Sequence, residues 1–448
     1  MPQKTDLTTG PITGTMLLFA LPMILGNLLQ QFNNVGDTLI VGQFLGATAL
    51  AAVGSSYTLM TFLTSILLGM CMGSGAVFSI RFGEGDRARL KNSLSLSFLI
   101  IAAFTVVMNL AVFLLIDPMM GLLQVPEEVY PLMRSYLWVI FWGIGGTFLY
   151  NYFACLLRAI GNSATPLLFL GVSAVLNIAL DLVFVVVVPW GVAGAAFATS
   201  LSQWVSGLGL LAFTLAKMPQ LRPSRQDVRW KKDRVLEIAR FSLLTCVQQS
   251  VMNFGILMVQ GLVNSFGTVV MAAFAAAVKI DSFAYMPVQD FGNAFSTFIA
   301  QNYGAKQSGR IRAGLKGAAA ASVGFGIVLS AVVWVFAGPL MGLFVEAGEA
   351  AVIAEGVLYL HIEGAFYCGI GCLFLLYGLY RALGKPGMSV VLTVISLGTR
   401  VALAYLLSAT PLGVTGIWWA VPIGWALADA AGIGYYLARR KKLLAWET

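Results

Sequence analysis

Charge is what this chain has least of: only 10% of its 448 residues are Asp, Glu, Lys or Arg, and a single residue is histidine. A soluble globule carries about 25% charged residues, so that class is excluded, and with 59% hydrophobic residues disorder is excluded more firmly. Cysteine is scarce as well. The five thiols, Cys71, Cys155, Cys246, Cys368 and Cys372, fall in apolar stretches without a CxxC pair, which indicates neither a disulfide framework nor a zinc ribbon. No HExxH run or G-x-S-x-G elbow occurs, and Gly384-Lys385-Pro386 has the wrong spacing and a proline where a phosphate-binding loop needs Ser or Thr. The chain is therefore expected to be neither an enzyme nor ATP-driven, and to hold no cofactor. No cleavable signal peptide is expected either, because the first apolar run is already a full-length span.

What the chain has in excess is long apolar runs, with a mean hydropathy of +0.86. They fall near 15–43, 51–80, 93–116, 132–156, 165–188, 193–215, 238–264, 270–301, 315–338, 357–379, 387–408 and 415–437. A bilayer crossing takes about 20 apolar residues, and segments this long without alternation can span lipid only as helices. Twelve transmembrane helices are expected. The 27 Lys and Arg outnumber the 19 Asp and Glu, for a formal charge of +8, yet their placement excludes nucleic acid as the reason. Counted from a cytoplasmic N-terminus, nearly all of them, from Lys4 to Lys442, sit on inner connectors or at the termini. Asp117, Glu127, Glu128, Glu346, Glu349 and Glu355 sit on outer ones. Both termini are thus expected in the cytoplasm, with the chain in the plasma (inner) membrane.

The one long polar connector, Lys217 to Asp233, is interrupted by Pro219 and Pro223 and divides the chain into six spans and six. The expected units are an N-terminal lobe 1–216, a basic linker 217–237 and a C-terminal lobe 238–448. The halves repeat. Phe82-Gly83, Pro118-Met119-Met120-Gly121-Leu122, Arg158-Ala159-Ile160-Gly161 and Trp190-Gly191-Val192-Ala193-Gly194 return as Tyr303-Gly304, Pro339-Leu340-Met341-Gly342-Leu343, Arg381-Ala382-Leu383-Gly384 and Leu412-Gly413-Val414-Thr415-Gly416, 221 to 223 residues later. Six is even, so the repeats run parallel in the membrane, and two lobes about a central cleft, in a monomer, are expected.

Ionisable residues inside spans cost on the order of 2.5–3.5 kcal/mol at a helix centre, so each needs a reason. They are Asp37, Asp181, Lys279, Asp281, Asp290, His361, Glu363, Arg400 and Asp429. On the first span Asn27, Gln30, Gln31, Asn34, Asp37 and Thr38 recur at three and four residues, forming one polar stripe, with Pro22 upstream as a bending point. For the amides, interhelical hydrogen bonding is the alternative to a substrate role. Asn177 and Asp181, four residues apart, share a face of the fifth span. No basic residue of that half lies at similar depth except, near the outer surface, Arg134. Asp37 and Asp181 thus share a lobe almost without balancing charge, and their titrations are coupled, as a proton-coupled carrier requires. With Asn177 the same oxygens suit a sodium ion equally. The second half carries the stripe Gln249, Asn253, Gln260 and Asn264, and Lys279 and Asp281 on the eighth span. Gln31, Asn34, Gln249, Asn253, Gln260, Lys279 and Asp281 are the expected cleft lining. Lys279, Glu363 and Arg400 are expected to form a buried ion-pair network, with a substrate or gating role as the alternative. His361 reads as a structural residue.

With these residues in view the chain resembles the multidrug and toxic compound extrusion (MATE) family over nearly its whole length. The resemblance rests on the Pro22 to Asp37-Thr38 helix, Arg81-Phe82-Gly83-Glu84-Gly85-Asp86, Arg158-Ala159-Ile160-Gly161-Asn162, Asn177-xxx-Asp181, and Ala300-Gln301-Asn302-Tyr303-Gly304-Ala305. It implies export of lipophilic, often cationic compounds in exchange for protons or sodium. It also implies that Asp37, Asn177 and Asp181 form the first-lobe cation site and that Tyr136 belongs to the same pocket. Partners would be small organic cations or related amphiphiles and membrane lipids. Gln248 and Gln249 on the seventh span and Ile370 on the tenth depart from the branch of the family that couples through the second lobe. A lipid-linked precursor flippase or polysaccharide exporter of the same wider superfamily is the alternative, disfavoured because only Lys279 and Arg400 supply intramembrane positive charge.

Overall fold

The computed structural model describes residues 6–122, 125–222, 224, 227–346 and 348–444. Lys4 and Pro223, on which the sidedness and connector readings partly rest, lie outside the described residues. Every regular element among the described residues is helical, as a lipid-embedded backbone without water to satisfy it demands. The elements are α1 (Ile12–Leu45), α2 (Ala47–Gly83), α3 (Arg87–Leu114), α4 (Ile116–Leu122), α5 (Tyr130–Ile140), α6 (Ile144–Ala159), α7 (Ala164–Asp181) and α8 (Val192–Lys217). The second half adds α9 (Lys232–Asn264), α10 (Thr268–Gly304), α11 (Ser308–Gly342), α12 (Ala350–Gly364), α13 (Tyr367–Ala382), α14 (Pro386–Ser408) and α15 (Val414–Leu443).

All twelve expected spans are present as helix, and three are interrupted. The fourth is α5 and α6 joined by a tight turn at Phe141–Gly143. The fifth runs from α7 into a widened helical turn at Leu182–Val187, directly after Asp181. The tenth is two helices, α12 and α13, bent by 51° where a single run over 357–379 was expected. Among the described residues ten helices are long and apolar enough to cross a membrane, and the α12–α13 pair makes an eleventh. The last, α15, carries Trp418, Trp419, Trp425 and Asp429, which lower its apolarity.

The described chain divides into two compact units, Leu21–Cys246 on the one hand and Asp6–Ala20 with the chain from Val247 onward on the other. The first nine residues of α1 therefore pack with the second unit, and α9 as far as Cys246 packs with the first. In the first unit the core is aromatic. Phe98, Phe148, Tyr152 and Phe153 meet with centroids 5.3–6.2 Å apart. The buried Tyr152 hydroxyl donates to the Leu94 carbonyl at 2.7 Å. Helices α6 and α8 approach backbone to backbone, since a Cβ on Gly207 would lie 2.6 Å from the Gly146 carbonyl oxygen. That is the close-packing use of small residues in membrane helices. In the second unit Phe274, Tyr359 and Trp418 form the aromatic centre.

Candidate functional site

The first unit brings Asp37 of α1 beside Asn177 and Asp181 of α7. Side chains of α7 lie over the α1 backbone at ordinary van der Waals separation. A Cβ on Gly26 would meet Leu170 at 3.5 Å, and one on Gly36, next to Asp37, would meet Ile178 at 3.8 Å. Asn177 and Asp181 are 2% and 1% exposed, so neither is served by bulk water. The Asn177 oxygen accepts from Asn33 Nδ2 at 2.6 Å, while its nitrogen faces Asp181 Oδ2 and Thr199 Oγ1, each at 3.4 Å. Turned over, the same amide would direct its nitrogen to both Asp37 oxygens, at 3.1 and 3.2 Å. Asn177 thus stands between two carboxylates that also act on each other directly. The Tyr136 phenol lies within electrostatic reach of both.

An amide has one donating end and one accepting end. It can serve one ionised carboxylate at a time, and the other then faces a carbonyl oxygen. With Asp181 buried and Asp37 partly buried, two carboxylates so arranged are satisfied only when a proton or a cation supplies the missing positive charge. Among the described residues no base lies within 4.0 Å of either carboxyl. Arg134, in the N-terminal half of α5, is engaged by Asp117 at 2.8 Å, with both side chains about half exposed. Asp181 Oδ1 is buried and has no partner among the described residues.

Two further groups belong to this arrangement that the sequence reading left out. Asn33 lies one turn before Asp37, and that spacing was the signal that could have found it. Thr199 comes from α8, and nothing local marks it. Of the expected cleft residues, Asn34 donates to the Tyr57 hydroxyl at 3.4 Å and Gln31 lies one turn before it.

The second unit does not gather its polar residues in the expected way. Gln260 donates to Asn264 at 2.8 Å, and Asn253 to the Gln249 carbonyl at 3.2 Å, so this stripe is bonded along its own helix. Lys279 is exposed and stands over the Phe344 ring at 6.0 Å, whereas Asp281 is 6% exposed; two residues apart on a helix, they point to different sides. The expected ion-pair network is not formed. Among the described residues no cation–carboxylate contact within 4.0 Å involves Lys279, Asp281, Glu363 or Arg400. Instead Tyr359, Tyr367, Glu363 and Arg400 lie within electrostatic reach of the Asp281 carboxyl. Asp281 Oδ1, Glu363 Oε2, Tyr367 Oη and Arg400 Nε are buried there without partners among the described residues. His361 stacks on Trp334 with centroids 4.7 Å apart and contacts its carbonyl at 3.0 Å, a packing role. Among the described residues no group of three or more His, Cys, Asp or Glu is placed to hold a metal ion.

The MatE family model matches twice, at residues 22–183 and 244–406, once in each half. The probable multidrug resistance protein YpnP of Bacillus subtilis is 30% identical over 449 residues, covering 98% of both chains. The probable multidrug resistance protein YoeA of the same organism is 27% identical over 435 residues, covering 94% of this chain and 93% of YoeA. The crystal structure of a point mutant of the Vibrio cholerae MATE transporter VcmN superposes with a TM-score of 0.89 at 25% identity, over 96% of this chain and 98% of that one.

Proposed function

The chain belongs to the MatE family, and from that premise we propose that it is a multi-pass secondary transporter that exports lipophilic, often cationic small molecules in exchange for protons or sodium. It would act in the plasma membrane with both termini in the cytoplasm. Two sequence relatives bear multidrug-resistance names, which supports efflux as the direction of transport. The observation that carries the coupling is the Asp37–Asn177–Asp181 arrangement: two carboxyl groups, one amide between them and, among the described residues, no base paired with either.

The proposed cycle follows from that charge deficit. With one coupling charge missing, the site attracts an organic cation, whose flat rings are held further by aromatic side chains such as Tyr136 and Tyr57. Binding of a proton or sodium ion neutralises the carboxyl pair and removes the attraction. Export can then be driven only as far as the substrate's affinity differs between the two states of the site. Pro22, which interrupts the hydrogen bonding of α1 on the Asp37 helix, allows that helix to change shape with the charge state.

The test is ethidium efflux from proteoliposomes, wild type against Asp37→Asn, under an imposed pH gradient and separately a sodium gradient. Efflux driven by one gradient and lost in the variant is the expected result. Unchanged efflux by Asp37→Asn would sink the coupling scheme, and no gradient-dependent efflux in the wild type would transfer the reading to a lipid or glycan cargo.

A further inference from the structure

We infer that Arg310 is a positioning residue for transport: it anchors the segment Leu7–Ala20 on the second unit, so that α1 changes shape at Leu21–Pro22 and carries that change to Asp37. The inference rests on the transport reading above and adds to it the part that stays fixed.

The anchor is built from several elements. Asn302, buried at the end of α10, donates to the Leu7 carbonyl at 3.0 Å and to the Phe298 carbonyl at 2.8 Å. The connector Ala305–Gln307 turns tightly, with Lys306 at a φ of 56°, and leads into α11 so that Arg310 lies in its first turn. From there the guanidinium reaches back over the N-terminal segment. It donates to the carbonyls of Leu7 at 3.2 Å, Thr9 at 3.0 Å and Gly10 at 3.0 Å, and Nε donates to Asn302 Oδ1 at 3.2 Å. Its carbon lies 5.7 Å from the Phe298 ring centroid. A planar five-donor fork spread over three backbone carbonyls fixes a strand of chain in a way a lysine point charge cannot. Below it Leu7, Met16, Phe19 and Ala20 are fully or nearly fully buried.

The place where this hold ends is the informative part. Asp6–Ala20 packs with the second unit and Leu21 onward with the first, and Pro22 follows one residue later. Proline removes one backbone hydrogen bond and crowds the preceding turn, so α1 is weakest at the point where it leaves one unit for the other. The repeat makes a contrast. The residue 221 positions before Asn302 is Arg81, whose guanidinium binds Glu237 at 2.7 Å and so holds the start of α9. At the corresponding departure point α9 has no proline, and a Cβ on Gly69 would lie 2.6 Å from the Cys246 backbone. Each repeat thus fastens the start of the other's first helix, but only α1 is given a weak point beyond its fastening. A displacement between the units would be taken up at Pro22 as long as the Arg310 clamp keeps the helix start in place.

A covalent substitute for the clamp is available. An ideal Cβ on Gly317 lies 3.7 Å from Thr13 Cβ, within the 3.5–4.5 Å span of a disulfide. Gradient-driven ethidium efflux is measured for the wild type, Arg310→Ala, Arg310→Lys, and Thr13→Cys/Gly317→Cys with and without Arg310→Ala, each oxidised and reduced. Hydrogen exchange of residues 7–20 is followed in parallel and needs no transport. Expected are about tenfold faster exchange of that segment and about tenfold slower efflux in Arg310→Ala, partial recovery in Arg310→Lys, restoration by the oxidised cross-link, and no loss when the cross-link is placed in the otherwise wild-type chain. Two results overturn the anchor: unchanged exchange in Arg310→Ala, or a cross-linked wild-type chain that stops transporting until reduced, which would make the contact a gate that must open. Absence of gradient-driven efflux in every protein, with the exchange difference present, would count against the transport reading and leave the anchoring itself supported.

Discussion

Replacing Gly73 by alanine adds one methyl group, and the structure sets both the sign and the size of its effect. Gly69 and Gly73 stand one turn apart on the face of α2 that meets α9. A Cβ on Gly73 would lie 2.6 Å from the Phe241 carbonyl carbon and 2.7 Å from Ser242 Cα. Carbon contacts are optimal at about 3.5–4.0 Å, so α2 and α9 must part by about 1 Å. Both obstacles are backbone, so no side chain can swing aside. Parting also stretches the Ser74–Ser242 hydrogen bond, now 2.9 Å, beyond the range of a bond. Overpacking costs about 1–3 kcal/mol and the intramembrane hydrogen bond about 0.6 kcal/mol; alanine returns about 0.5–1 kcal/mol over glycine within a helix. The net expectation is a loss of about 1–3 kcal/mol. Gly54 on the same helix is the control, since nothing lies within 4 Å of a Cβ there, and Gly54→Ala should gain about 0.5–1 kcal/mol. The assay is survival of the monodisperse peak in detergent after a heating series, read by fluorescence size-exclusion. Unfolding there is irreversible, so the proteins are ranked under identical heating rather than assigned a free energy. Gly73→Ala falling below wild type and Gly54→Ala rising above it is the expected order; a Gly73→Ala protein as robust as Gly54→Ala would refute the close approach.

Two further outcomes follow from groups outside the spans. Asn92 of α3 donates to the Asp227 and Arg229 carbonyls at 2.6 and 3.0 Å and accepts from Arg234 at 2.6 Å, so Asn92→Ala should free the inter-repeat connector and speed tryptic cleavage at Arg229–Lys232 about tenfold. The Thr8 hydroxyl and backbone N–H hold the exposed Asp6 carboxyl below its usual range. A depressed carboxyl contributes stability above its unfolded value of 3.8 and loses it as pH falls through the folded one. Exchange protection of the Asp6–Gly10 turn should therefore be flat between pH 7 and pH 5 and fall below about pH 4, by well under about 1 kcal/mol given the exposure. A fall in protection starting near pH 6 would point to another group.

How much was legible depended on the range of the interaction. The twelve spans could be read because burial in lipid acts residue by residue, and each apolar run satisfies its own backbone. Asn177 and Asp181 could be read as one face because four residues is a helical turn. Asn33 was equally available at one turn from Asp37 and was passed over for Asn34, which the structure turns to Tyr57 instead.

What composition and spacing left open was every relation between helices distant in sequence. Thr199 reaches Asn177 from another span, and Lys279 turns to Phe344 while Asp281 turns inward, because helix rotation is set by packing partners rather than by local pattern. The α12–α13 bend at Gly364–Phe366 arises without any proline to announce it. The N-terminal segment falls within the expected N-terminal lobe 1–216, and the structure packs Asp6–Ala20 with the second unit, where Arg310, a residue 300 positions from Gly10, holds it. A sequence specifies directly what a single helix needs in order to lie in lipid: its length, its apolar faces and the polar residues it must satisfy somewhere. Which of those polar residues meet is decided only when the helices close on one another, since the energy of a buried amide or carboxyl depends on the group it finds there and not on its neighbours in the chain.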